Sequence, residues 1–371
     1  WKANVRTIKI EGINVPNDGV YYLRWKGNDA SGTGERDECA LDDIQIVANP
    51  EGTKPNFSGT VRDIVINGDV ELSGNALLNH KTELTGSTLF VGNKTLSISS
   101  TLTRTGGNID ASNSSSLIEF TNTSGLTLPA GFFSGSVGNL KMNGTGGVAL
   151  GSLTTVDGTL TLASGKLTIG NYNLTAGTLS GGSSSSYVAT TGTGVFNMKT
   201  GGNTSKTYPV GTSSSYNPAT IKNFGALTNF SVKVKNTFSV NPNDPNKAVQ
   251  RVWEIYPASS IVKAAIELQF NTDEFGSEFS TGNPVYIGNY HQSGWRNPLT
   301  ATITGSGPYI AKAENIKDFS EFGIGNQGAF TIYSQNFDSE WGTTPDGSWT
   351  NTPSTGNTSW RMENNGSDAS W

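Results

Sequence analysis

The chain has 371 residues, of which 34% are hydrophobic and 15% charged, while glycine alone accounts for 46. That length allows two or three ordinary domains, each burying its own core, and the Gly, Ser, Thr and Asn that make up the balance favour turns and pleated surfaces over helices. A net charge of −5 without a dense Lys/Arg cluster argues against nucleic acid or an anionic membrane surface, and no stretch approaches the roughly 20 apolar residues of a membrane helix.

The single cysteine, Cys39, excludes an intrachain disulfide framework or a zinc–cysteine cluster. Trp1 follows no basic-then-apolar leader, so no targeting segment is expected in this stretch and the chain is expected to be excised from something longer. All eight Trp lie at positions 1, 25, 253, 295, 341, 349, 360 and 371, and the Trp-free interval from Lys26 to Val252 marks a compositional boundary.

In chain order, Tyr21-Tyr22-Leu23-Arg24-Trp25 and Leu41-Asp42-Asp43-Ile44-Gln45-Ile46 read as two strands around a polar loop, and Asn49-Pro50-Glu51-Gly52 begins a linker. Residues 1–48 are therefore expected to close one domain. From residue 49 to 200 the sequence becomes Gly, Ser, Thr and Asn with regularly spaced Val, Ile and Leu, the pattern of short strands joined by tight turns.

Within this stretch Ile66-Asn67-Gly68-Asp69-Val70-Glu71-Leu72 matches Val156-Asp157-Gly158-Thr159-Leu160-Thr161-Leu162, and Leu89 to Ser97 matches Leu167 to Thr175. The two offsets differ. A closed propeller tolerates such drift poorly, whereas a parallel β-solenoid pairs each rung only with its neighbours and takes insertions as loops. A short parallel β-helix is the expectation here, with an irregular sandwich as the alternative.

Residues 201–329 carry stronger strands, among them Val232-Lys233-Val234-Lys235, Gln250-Arg251-Val252-Trp253-Glu254-Ile255 and Ala265-Ile266-Glu267-Leu268-Gln269-Phe270. They read as a Greek-key β-sandwich. Phe330-Thr331-Ile332-Tyr333 then begins a further unit over 330–371. The fold class is all-β, built of tandem modules.

Chemistry-bearing motifs are sparse. The two histidines, His80 and His291, fall in different modules, so neither a His-containing triad nor a multi-histidine metal site is economical. Gly323-Ile324-Gly325-Asn326-Gln327-Gly328 fits G-x-G-x-x-G but precedes a strand where dinucleotide binding needs a helix N-terminus, and it reads as an interdomain turn. The solenoid acids Asp63, Asp69, Glu71, Glu83, Asp110, Glu119 and Asp157 are scattered, which disfavours the paired carboxylates of a glycosidase. No catalytic residue and no organic cofactor is expected, and the chain reads as a non-enzyme.

Two residue sets remain as candidate sites. Asp37, Glu38, Asp42 and Asp43, with Asp338 from the next unit of the same type, offer the hard oxygens of a structural Ca²⁺ site; loop salt bridges with Arg24 or Arg36 are the alternative reading. Trp341, Trp349 and Trp360, and the Tyr290/Trp295 pair beside His291 and Gly294, offer aromatic faces for sugar stacking. Core or edge packing is the alternative for these rings.

The stretch from Tyr22-Leu23-Arg24-Trp25 through Gly32-Thr33-Gly34-Glu35-Arg36-Asp37-Glu38 to Leu41-Asp42-Asp43-Ile44-Gln45-Ile46 resembles the closing strands of jelly-roll domains in exported Bacteroidota proteins, and Gln335-Asn336-Phe337-Asp338 resembles their opening strand. Between them, Gly158-Thr159-Leu160-Thr161-Leu162, Ser183-Ser184-Ser185-Ser186-Tyr187-Val188, Tyr208-Pro209-Val210-Gly211-Thr212 and Arg251-Val252-Trp253-Glu254-Ile255 look like the repeat-rich, gliding-adhesin-like surface proteins carried by the type IX secretion system.

The resemblance covers nearly the whole chain through structural, low-complexity motifs. It implies extracellular display at the cell surface and adhesion to surface glycans or polysaccharide, or to further copies of the chain in an array or filament. Nucleic-acid binding and membrane insertion within this segment are not expected. One period of a tandem array, with a partial jelly roll at each end, is the expected organisation; a carbohydrate-binding accessory region of a secreted hydrolase is the runner-up.

Overall fold

The computed structural model describes residues 54–291 and 294–330. Over these residues the protein is all-β, with a β-solenoid of about eight turns and two short 3₁₀ turns at Pro245–Lys247 and Thr272–Glu274. The chain divides at Met198–Lys199 into two compact units.

The first unit is the solenoid. Its strands pair in parallel, and one ladder runs through Leu78, Ile98, Phe120, Met142, Leu162 and Gly181. A second joins Leu126, Val148, Leu167 and Val188, and a third joins Val137, Val156, Ala176 and Met198. Apart from Gly181, which is exposed at the end of the first ladder, these positions place apolar residues inward. Alternation explains the choice: in Thr159-Leu160-Thr161-Leu162 the leucines are buried and the threonines lie on the outer side, as period-2 geometry demands. Each fully buried Leu, Ile, Val or Phe contributes about 1.5–3 kcal/mol relative to exposure, so stacked rungs supply the core that no single rung could hold.

Side chains also tie one turn to the next. Asp69 Oδ1 accepts the Thr88 N–H at 3.1 Å, Asn75 Oδ1 that of Thr95 at 2.9 Å, Asn139 Oδ1 that of Thr159 at 3.0 Å, and Asn171 Oδ1 that of Thr193 at 3.1 Å. These partners are 19 to 22 residues apart, which is one turn. Asn139 also donates through Nδ2 to the carbonyls of Ser114 and Ser116, both at 2.9 Å, so one side chain staples three consecutive turns. Gly138 packs against the turn below: a Cβ there would lie 2.0 Å from the Asn113 carbonyl oxygen.

The second unit is a sandwich of two five-stranded antiparallel sheets. Its strands are β1 (Ser205–Tyr208), β2 (Ala219–Asn223), β3 (Thr228–Lys235), β4 (Ala248–Pro257), β5 (Ala264–Phe270), β6 (Val285–His291), β7 (Gly294–Thr300), β8 (Thr302–Thr304), β9 (Tyr309–Ile316) and β10 (Glu321–Asn326). One sheet runs β7-β6-β10-β4-β3 and the other β1-β2-β5-β9-β8. The β3–β4 hairpin nests inside the β2–β5 pair of the opposite sheet, and the β6–β7 hairpin inside the β5–β9 pair, which is the crossover pattern of a Greek-key sandwich. In β3, Phe230, Val232 and Val234 enter the core with Trp253, Ile255, Phe322 and Ile266. Lys233 and Lys235 emerge on the other face of the sheet.

Candidate functional site

Among the described residues of the sandwich the carboxylate most deeply buried is Glu274, at 1% exposure. The Thr272–Glu274 turn aims it inward, and Asn271 closes a capping box around that turn. Arg251 Nε lies 3.1 Å from Glu274 Oε1. Asn217 Nδ2 contacts both carboxylate oxygens at 2.9 and 2.8 Å, the Ser215 hydroxyl donates to Oε1, and the Asn271 N–H donates to Oε2 at 2.9 Å. The Trp253 indole N–H donates to the Asn217 carbonyl at 2.9 Å. A buried carboxylate so fully supplied with donors is a fixed structural anion, and its lone pairs are committed to strands far apart in sequence.

A second polar cluster sits on the outer face of the β7-β6-β10-β4-β3 sheet. Lys235 Nζ lies 2.6 Å from both Glu254 and Glu321, and Glu321 also accepts from the Ser239 hydroxyl. Burial opposes the charge on Lys235, but hydrogen bonds and attraction to the two carboxylates outweigh it and raise its pKa above the ordinary lysine value. On the solenoid, burial likewise raises the Glu119 carboxyl, and the Lys141 ammonium at 2.9 Å, with Ser97 and Asn143, more than offsets it, so the net pKa is lowered.

The other solenoid acids have separate partners: Asp63 pairs with His80, Asp157 with the Ser136 hydroxyl at 2.5 Å, and Asp110 with Ser112 at 2.7 Å. Among the described residues no three His, Cys, Asp or Glu side chains gather in one place, and no helix is long and apolar enough to cross a membrane.

The candidate calcium ligands Asp37, Glu38, Asp42, Asp43 and Asp338 lie outside the described residues, as do Trp341, Trp349 and Trp360. Tyr290 and Trp295 are described, and they correct the expectation of a loop-borne stacking platform. They face each other across the β6–β7 hairpin. Trp295 is only 3% exposed; its indole N–H donates to the Val240 carbonyl at 2.9 Å, and its ring packs on Phe238, Tyr290 and Phe330 with centroids 5.4, 5.7 and 5.0 Å away. With both its faces and its N–H engaged inside the protein, the indole serves as core.

The G-x-G-x-x-G stretch is also reassigned: its first two glycines belong to β10 rather than to a turn. Together with Gly288 they make a seat for the Phe330 ring, since Cβ atoms built at Gly288, Gly323 and Gly325 would lie 2.6, 3.0 and 3.0 Å from it. Phe330, grouped by sequence with the following unit, therefore packs on this sheet. The cavity beside it is about 10 Å³, room for one water molecule at most.

One grouping was not visible in sequence. At one end of the sandwich the Phe224 ring is 38% exposed, with Lys222 Nζ 5.1 Å and Lys263 Nζ 5.3 Å from its centroid. Leu227 and Val262, 63% and 75% exposed, accompany it. The strands that carry these residues are neighbours because β2 pairs with β5 and the Phe224 N–H donates to the Lys263 carbonyl at 3.2 Å.

Fold and site together define a β-solenoid and a β-sandwich in series, in which the described ionised side chains largely brace strands. No family model, curated protein or solved structure matches the chain.

Proposed function

We propose that this chain is a structural and adhesive segment of a large, secreted bacterial cell-surface repeat protein, of the type IX-secreted, gliding-adhesin-like kind, acting outside the cell as a stalk and as a surface that meets glycans or further copies of itself. Its role is mechanical and adhesive, without catalysis. The observation that carries this reading is the cross-turn stapling of the solenoid, in which Asp69, Asn75, Asn139 and Asn171 each bind backbone one turn away.

A stack whose every rung is held by buried apolar ladders and by side chain-to-backbone links resists bending and shear between rungs. It also leaves outward side chains that make no such link able to vary. Such a module suits a spacer that holds binding surfaces away from a cell.

The test is in two parts. Antibodies raised against residues 54–330 are expected to label intact, unpermeabilised cells of the source organism, and beads coated with the 371-residue chain are expected to be retained on polysaccharide-coated glass under flow. Label found only after permeabilisation, together with no bead retention, would sink the proposal.

A further inference from the structure

We propose that the Phe224 end of the sandwich binds an anionic polysaccharide of uronate-type sugars, a ligand assignment that rests on the adhesive reading above. The argument begins with charge. The segments 199–224 and 259–265 contain Lys199, Lys206, Lys222 and Lys263 and no Asp or Glu, within a chain whose net charge is −5. The fold draws these segments together: Lys222 pairs with Ser205 on one side and Ala265 on the other, and the Thr200 carbonyl next to Lys199 accepts from Asn223 Nδ2 at 3.1 Å; Lys206, opposite the buried Ile221, belongs to the other face.

Among the described residues neither Lys222 nor Lys263 has a carboxylate within ion-pair distance, in contrast to Lys233 and Lys235 on the neighbouring strand, which meet Glu254 and Glu321. Lysines without an ion-pair partner are available to an anion.

The apolar part narrows the class. Two ammonium groups stand at nearly equal distances from one exposed aromatic ring, and Leu227 and Val262 extend the apolar surface. A ligand that satisfies both must carry its negative charge within a bond or two of a flat, C–H-lined face. A uronic acid does so, because its carboxylate is attached to the sugar ring whose face stacks on Phe224. The side chains of an acidic peptide place the charge at the end of a flexible stem and offer no such face. The hydroxyls of Thr228 and Ser259, 2.8 Å apart at the same end, are hydrogen-bonding partners for sugar hydroxyls.

The experiment measures binding of polygalacturonate, neutral dextran and polyglutamate to the immobilised 371-residue chain at low and high salt. Wild type is expected to bind polygalacturonate in preference to both other polymers. The double variant K222Q/K263Q should weaken that binding about tenfold and flatten its salt dependence, and Phe224→Ala should weaken it about fivefold while keeping the salt slope. All three side chains are at least partly exposed, so the melting temperature should hold, and circular dichroism checks this.

Equal binding of polyglutamate would overturn the sugar assignment in favour of a plain polyanion or acidic-protein surface. No effect of the three substitutions on polygalacturonate binding would overturn the site. Retention on neutral glycans without polygalacturonate binding would remove this inference and leave the adhesive reading standing, whereas failure to bind any glycan or surface would remove both.

Discussion

Replacing Glu274 with alanine should be the most damaging single substitution of a polar residue in the sandwich. The carboxylate is buried at 1% exposure and receives Arg251, Asn217, Ser215 and the Asn271 N–H. Its removal strands a guanidinium that is itself largely buried and leaves several donors without an acceptor. Breaking a buried ion pair from one side costs about 3–5 kcal/mol, a large share of the roughly 5–15 kcal/mol that holds a domain folded. For a unit of this size the melting temperature should fall by about 10–15 °C. Glu274→Gln keeps the shape but turns one acceptor into a donor facing donors, and should cost about 2 kcal/mol. Hydrogen–deuterium exchange of peptides covering 248–257, read beside calorimetry of the 371-residue chain, localises the effect. The cycle with Arg251→Met should show strong coupling, because an apolar pair leaves no orphaned charge. A loss under about 1 kcal/mol for E274A, or additivity in the cycle, would refute the account of the network as a closed structural anion.

Three further outcomes are expected. Gly138→Ala forces a Cβ to within 2.0 Å of the Asn113 carbonyl oxygen and should destabilise the solenoid by about 2 kcal/mol or more; an unchanged urea midpoint would contradict the close packing of successive turns. Asn139→Ala removes one acceptor and two donor bonds across three turns and should cost about 2 kcal/mol, with faster exchange of the Thr159 amide as its local signature. Alkaline pH should weaken the sandwich through several groups: stability from Lys235, whose folded pKa is raised by Glu254 and Glu321, is present below the ordinary value of 10.5 and lost as pH climbs through the raised one, while Tyr208, Tyr216 and Tyr256, whose phenols burial holds neutral, disfavour folding once the unfolded phenols ionise above 10. Lys235→Met should remove the first component from a stability–pH profile between 9 and 12, and a profile unaltered by it would argue against the cluster.

Alternation made the β class legible: in Leu160-Thr161-Leu162 the buried and outward positions fall as a period of two requires, whereas in Val232-Lys233-Val234-Lys235 the Lys233 side chain is covered as well. The solenoid's repeat was harder to read. The internal matches of Ile66–Leu72 with Val156–Leu162 and of Leu89–Ser97 with Leu167–Thr175 each span several turns, because a turn here contains three short strand positions joined by loops of uneven length. Apolar spacing drifts under those conditions. The sharper signal lay in the polar residues, since Asn75 to Thr95, Asn139 to Thr159 and Asn171 to Thr193 repeat one turn's length wherever a corner asparagine caps the next rung. The Glu274 network and the lysine-flanked Phe224 were illegible for a different reason: Ser215 and Glu274 are 59 residues apart, and a Greek key brings such positions together by crossing between sheets. Trp295 was misplaced because its polar, glycine-containing surroundings in sequence look like loop, whereas the residue lies on a strand and its ring is buried.

Among the described residues, several of those on which the resemblance rests are ones the fold spends on itself. Tyr208 is buried with its hydroxyl 2.9 Å from Thr200, Thr212 Oγ1 accepts the Ser215 N–H at 3.1 Å, Arg251 meets Glu274, and Trp253 meets the Asn217 carbonyl. Substituting any of them disturbs a network with no tolerance for an orphaned donor, so these positions define a sandwich without selecting its ligand. The outward positions are under no such constraint: the threonines and serines of the solenoid rows and the lysines around Phe224 touch solvent and can change without cost to the core. On the adhesive reading proposed above, recognition resides at such positions. The Phe224 end combines exposed apolar side chains with two lysines that have no carboxylate within ion-pair distance among the described residues. If that proposal holds, a chain that kept its core motifs but exchanged Lys222, Lys263 and Phe224 is expected to keep its fold and melting temperature and to change what it adheres to.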